Sequence, residues 1–123
     1  MELEKMINDT QELSQRFHEV VGPWDRSLLV THLAAVVGRL ADDVMIIEGK
    51  LAMPRENAHL ARNIADAMIQ LVRLGQDYQL DLERAVSDFL EEARQSLENE
   101  GLVTTMRNTL HQNQMGEKDH GNK

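Results

Sequence analysis

The sequence has no cysteine among its 123 residues. That absence excludes disulfides, thiolate nucleophiles and cysteine-liganded zinc. Aromatic residues make up only 3% of the chain, so a core must come from Leu, Val, Ile, Ala and Met. No apolar run approaches the roughly 20 residues of a membrane-spanning helix, and residues 1–5 lack the basic-then-apolar pattern of a signal peptide. We therefore expect a cytoplasmic protein with no membrane partner.

Positive charge is also scarce. The 13 Lys and Arg residues are outnumbered by 21 Asp and Glu residues, which gives a formal net charge of −8. Nucleic-acid binding depends on neutralising phosphates with basic side chains, so this balance argues against a nucleic-acid partner. It is compatible with binding of divalent cations. The length fits a single domain.

Apolar residues recur at three- and four-residue steps along most of the chain, which predicts helices and no strands. The predicted helices cover residues 2–21, 27–48, 55–77 and 79–99, with a short fifth helix over 102–111. Residues 112–123 have no repeating apolar positions and are predicted to form a disordered tail. The expected architecture is an all-α helical bundle forming one domain over residues 1–111.

The second and third predicted helices organise the rest of the chain. Their connector, residues 49–54, is short, so the two helices should be antiparallel neighbours. The second helix is apolar over a wide arc, because Val30, Ala34, Ala41 and Met45 extend its main stripe sideways. A helix of this kind is buried on more than one side. We therefore expect the chain to associate with itself, as a homodimer or a dimer of dimers.

Polar residues at helical spacing mark the candidate site on this pair. Asp43 should face His59 and Asn63 across the antiparallel interface, with Asp66 one turn further along. Together they would form a mixed oxygen and nitrogen site suited to manganese or zinc. The alternative is that they are ordinary residues of a solvated groove. Trp24 also has two interpretations, either a hydrophobic plug between helices or a base-stacking platform for a nucleotide.

Three stretches resemble the MazG-like, all-α nucleoside triphosphate pyrophosphohydrolases. Residues 33–41, Leu-Ala-Ala-Val-Val-Gly-Arg-Leu-Ala, are similar to the first motif of that superfamily. Residues 63–68, Asn-Ile-Ala-Asp-Ala-Met, are similar to its second motif, and residues 78–86 to its Gly-Ile-Asp-Leu-Glu-Glu-Ala segment. The resemblance covers roughly residues 24–97. It implies a MazG-like bundle that uses Mg2+ or Mn2+ to activate water and cleaves a nucleoside triphosphate to monophosphate and pyrophosphate.

The same match shows where this chain departs from the family. The acidic positions of the first motif fall on Ala35, Val36 and Arg39, and those of the second on Asn63 and Asp66. Only Asp66 keeps a carboxylate, so the resemblance implies a pyrophosphohydrolase relative with weak or lost activity. The metal ligands that remain to be considered are Asp66, Asn63 and Asp43. The candidate ligand-binding residues are Arg39, His59, Arg62 and Trp24.

Two alternatives to hydrolysis stay open. One is a catalytically silent relative that binds a nucleotide, with an arginine such as Arg39 or Arg62 meeting phosphate directly. The other is a structural helical homo-oligomer. Arg39 places a fixed positive charge at the position where the family match puts the metal ion. We therefore expect Arg39 to pair with Asp66 and to substitute for the metal.

Overall fold

The computed structural model describes residues 2–121 of the chain, and this part is helical with no strand. The helices are α1 (Leu3–Val21), α2 (Arg26–Ile47), α3 (Leu60–Asp77), α4 (Leu82–Glu98) and α5 (Glu100–Gly121), with a 3-10 turn at Arg55–Asn57 before α3. The all-α prediction is confirmed.

Local sequence explains where α1 ends and α2 begins. Gly22 has a φ of 111°, which L-residues with a side chain rarely adopt, and Pro23 follows it. Asp25 then caps α2, because its side chain accepts a 2.8 Å hydrogen bond from the backbone N–H of Ser27. This corner places Trp24 between the two helices.

The core lies along α2 and α3, which pack against each other, while α1 packs on α3. Its buried apolar side chains are Leu29, Val36 and Ile46 on α2 and Val72 on α3. Gln76 of α3 also donates a 2.9 Å hydrogen bond to the carbonyl oxygen of Ile7 on α1. Residues further along α2 pair with residues earlier on α3, as Asp43 with Asn63 and His32 with Asp66 show. The predicted antiparallel pair is confirmed.

The second half of the chain contains a longer helix than expected. The chain divides after Leu82 into two compact units, and the single domain over residues 1–111 stays a prediction. The predicted short fifth helix is much longer, since α5 continues to Gly121 through most of the predicted tail. No proline follows Glu100, and the sequence there retains helix formers such as Gln, Glu and Lys, so the helix can propagate. The last two residues of the predicted tail lie outside the described range.

The second unit contains almost all of α4 and the whole of α5. Asn99 caps α5 with its side-chain oxygen, which accepts a 2.9 Å hydrogen bond from the N–H of Leu102. Apolar residues recur along α4, but Phe89 and Leu97 are each 69% exposed. Between residues 2 and 121, no helix combines the length and apolarity needed to cross a membrane.

Candidate functional site

Asp43 is a buried carboxylate in the interface between α2 and α3, with 4% of its surface exposed. Its Oδ1 accepts a 3.1 Å hydrogen bond from the backbone N–H of His59, and its Oδ2 accepts a 2.7 Å bond from Nδ2 of Asn63. The expectation that Asp43 faces these two residues is confirmed. We call Asp43, His59 and Asn63 the Asp43 cluster.

The Asp43 cluster acts as a cap supplied by a neighbouring helix. His59 immediately precedes the first residue of α3, and its own side chain makes no capping bond. The first N–H groups of a helix lack partners within that helix, and the positive end of the helix dipole lies there. A carboxylate from α2 satisfies one of these groups and thereby fixes where α3 starts relative to α2.

The same contacts set the charge state of Asp43. The hydrogen bond from Asn63 is the largest influence, and it lowers the pKa of the Asp43 carboxyl from its ordinary value of 3.8. Burial opposes this shift, while the backbone N–H of His59 and the electrostatic influence of its nearby side chain add to it. The pKa remains lowered overall, so Asp43 is an anion at neutral pH.

Asp66 makes different contacts from those predicted. Its Oδ1 accepts a 3.1 Å hydrogen bond from Nε2 of Gln70 and lies 3.5 Å from Nε2 of His32. Arg39 is exposed and forms no ion pair with Asp66, so the predicted pair is wrong. Gln70 already donates to Asp66 and His32 lies beside it. The guanidinium of Arg39 stays in water, where a charge is well solvated.

Contacts continue from Asp66 towards the aromatic corner. Arg73 donates a 3.2 Å hydrogen bond from Nη1 to the side-chain oxygen of Gln70. Its guanidinium carbon lies 5.3 Å from the ring centre of Phe17 and 5.4 Å from that of Trp24. Trp24 in turn packs edge-to-face on His32, with ring centres 5.6 Å apart. This geometry agrees with Trp24 as a plug that seats the corner between helices.

A cavity of about 540 Å3 opens beside this aromatic corner. The side chains on its wall that matter here are Ser14, Phe17, Trp24, Arg26, Arg73 and Gln76. None of the residues predicted to hold metal lines it. The cavity and the Asp43 cluster are therefore separate features of the first unit.

The remaining predicted site residues are not drawn together. Arg62 and His59 are exposed, as Arg39 is, and only the backbone of His59 contacts Asp43. His32 and Gln70 had no predicted role at the site. Helical spacing is the signal that could have found them, because Gln70 lies one turn from Asp66 and His32 lies one turn before Val36.

The residues at the motif positions do not fit a magnesium site. Magnesium prefers carboxylate and other hard oxygen ligands. Both oxygens of Asp43 are engaged by protein donors, and Val36, on a position where the family resemblance places an acidic residue, has 0% of its surface exposed. Within residues 2–121, no group of three or more His, Asp or Glu side chains is placed to hold a metal ion.

Comparison with known proteins yields no match to a protein family, to a curated protein or to a solved structure.

Proposed function

We propose that this chain is a relative of the MazG-like pyrophosphohydrolases whose hydrolytic activity is weak or lost, and that it works as a non-catalytic helical homo-oligomer. The Asp43 cluster is the observation that carries the proposal. A carboxylate that accepts hydrogen bonds from a buried amide and from a helix N-terminus is a structural element of the α2–α3 pair. An ion bound to Asp43 would lack further ligands, because residues 2–121 hold no group of three or more His, Asp or Glu side chains placed for a metal.

The residues at the first-motif positions also support a loss of hydrolytic activity. Hydrolysis in the resembling family depends on acidic residues that hold a metal ion, and here those positions are occupied by Ala35, Val36 and Arg39. Val36 is fully buried in the core and Arg39 is exposed to solvent. Neither arrangement offers an oxygen ligand to a metal.

Self-association is supported by an exposed apolar face on the helix pair. It consists of Val30, Val37 and Val44 on α2 and Ile64, Met68 and Leu71 on α3, each between 44% and 54% exposed. We call these six residues the α2–α3 apolar face. In an antiparallel pair both stripes fall on one side of the interface, and His32 and Asp66 fall on the other.

The exposure of apolar side chains supports the proposal that another chain covers this face. Among the described residues only four hydrophobic residues are buried, whereas 22 large hydrophobic residues are exposed. Exposed apolar patches mark interaction sites. The six side chains of the α2–α3 apolar face carry no charge, so a second copy of the same face is a suitable partner across a two-fold axis, which is the commonest symmetry of homo-oligomers.

A pyrophosphate-release assay tests the loss of hydrolysis. The protein is incubated with each ribo- and deoxyribonucleoside triphosphate in Mg2+ or Mn2+, beside an active pyrophosphohydrolase as positive control. We expect release no faster than in buffer with metal alone. Sustained metal-dependent release that disappears in Asp66→Asn would return the chain to the catalytic class.

Thermal shift with the same nucleotides separates a silent nucleotide binder from a purely structural protein. A ligand that binds only the folded state raises Tm with its concentration. The structural proposal predicts no such rise for any nucleotide. A saturable rise with one nucleotide would instead favour the nucleotide-binding alternative.

A further inference from the structure

Arg73 lies on the wall of the 540 Å3 cavity, with its guanidinium beside two aromatic rings whose centres are 5.5 Å apart. We propose that this cavity binds a small organic carboxylate, with its anionic group on the Arg73 guanidinium and its flat apolar part against Phe17 and Trp24. A volume of this size is typical of small-molecule sites, which combine apolar walls with a few placed polar groups. The proposal goes beyond the homo-oligomer proposed above and does not depend on it.

Arg73 has the donors that such a ligand needs. A guanidinium carries five N–H groups in a planar fork. One contact, from Nη1 to Gln70, is its only hydrogen bond to the side chains and backbone of the described residues. Arg73 is half-buried, so a carboxylate that reaches it meets a partly desolvated cation, where a charge-assisted bond is stronger than in water.

The orientation of Arg73 is fixed by a closed circuit of contacts. The circuit runs from Arg73 to Gln70, Asp66, His32 and Trp24, and returns from Trp24 to Arg73. Each member is held by the two beside it. A side chain that is already ordered loses less conformational entropy when a ligand binds.

The rest of the cavity wall favours an organic ligand. The wall combines the rings of Phe17 and Trp24 with polar side chains such as Ser14. Gln76 donates its amide N–H to Ile7, and its side-chain oxygen adds a further acceptor on the wall.

Charge on the wall favours a single negative charge over several. Arg26 and Arg73 are balanced by Glu19 and Asp77, which also line the cavity and are exposed. The side chain of Arg26 is directed to Tyr78 and to the backbone oxygen of Asp77. A carboxylate meets one free guanidinium, whereas a triphosphate would bring several charges against two carboxylates.

Trp24 provides the assay, because it is the only tryptophan in the chain and lies in the cavity wall. Its fluorescence is titrated with benzoate and phenylacetate, with the neutral amides benzamide and phenylacetamide, and with inorganic phosphate. We expect a saturable change with at least one carboxylate at a Kd below about 10 mM. The matching amide should bind at least about tenfold more weakly, since a charge-assisted contact is roughly twice as strong as a neutral one.

Substitution of Arg73 tests which cation is responsible. Arg73→Gln should weaken carboxylate binding about tenfold or more, and Arg73→Lys by less, because lysine keeps the charge but not the planar fork. Arg16→Gln is the matched control, since Arg16 lies on α1, is exposed and does not line the cavity. It should leave the Kd unchanged.

Two results would overturn the proposal. One is that the carboxylates bind no better than their amides, or not at all below 10 mM. The other is that Arg73→Gln binds them as the wild type does. The wild-type comparison of acid and amide needs no variant, so it decides the matter even if Arg73→Gln does not fold. Neither result bears on the oligomer proposal. Arg73 and Gln76 lie on a different side of α3 from Met68 and Leu71, which belong to the α2–α3 apolar face.

Discussion

Val37→Asp probes the α2–α3 apolar face most sharply. Val37 is 54% exposed, so covering the rest of its side chain in an oligomer contributes about 1 kcal/mol, half of the value for full burial of a valine. An aspartate at this position loses that favourable free energy of association. It also adds the free-energy cost of desolvating a carboxylate, which is at least about 2 kcal/mol. In a two-fold dimer the change occurs twice, which gives about 6 kcal/mol, or a weakening of Kd by about 10⁴.

The assay is sedimentation equilibrium across micromolar concentrations, with a matched variant on another helix. Wild type should sediment as a multiple of the 14.0 kDa chain, and Val37→Asp should sediment as one chain. Val20→Asp makes the same chemical change on α1, where Val20 is 73% exposed and outside the face. It should keep the wild-type mass. If Val37→Asp keeps that mass, or if both variants dissociate alike, the assigned face is wrong.

Three further predictions concern the polar residues. Asn63→Leu leaves Asp43 without its closest donor and should lower the free energy of unfolding by about 2–3 kcal/mol, measured by urea denaturation. Asp43 has a lowered pKa in the folded state, so its contribution to stability should be complete above its ordinary value of 3.8 and be lost as pH falls through the folded-state pKa. Urea titrations from pH 7 to pH 2 should therefore show wild type and Asp43→Asn converging at the acid end, and a constant difference would contradict this. Arg39→Ala should change stability by no more than about 0.5 kcal/mol, because Arg39 is exposed and unpaired with Asp66, and a larger loss by thermal melting would revive the ion-substitute hypothesis.

Much of the first unit could be predicted from the sequence because periodicity and turn residues agree there. Apolar spacing located α2 and α3, and their short connector made them antiparallel neighbours. Once that register is assumed, Asp43 must face Asn63, as it does. The contact predicted from the family match and from charge, Arg39 with Asp66, is absent. Charge complementarity does not identify the partner of a carboxylate among several nearby polar side chains, and here Gln70 donates to Asp66 while His32 lies 3.5 Å from it.

The aromatic corner and the last helix could not be predicted for different reasons. The contact between Trp24 and Arg73 joins residues far apart in sequence, and it depends on how α1 packs on α3. The length of α5 depends on the absence of proline more than on any apolar repeat. A polar stretch without proline permits helix as well as disorder, so composition alone favoured a tail.

Thermal melting of the wild-type protein with and without divalent metal tests the central claim most directly. If the Asp43 cluster is a structural element and no metal site remains on the helix pair, Tm in chelator should equal Tm in millimolar Mg2+ or Mn2+. A metal bound only by the folded state at one hundred times its Kd would add about 2.7 kcal/mol of stability. That corresponds to a rise in Tm of several degrees. A metal-dependent rise of this size that is lost in Asp66→Asn would contradict the account.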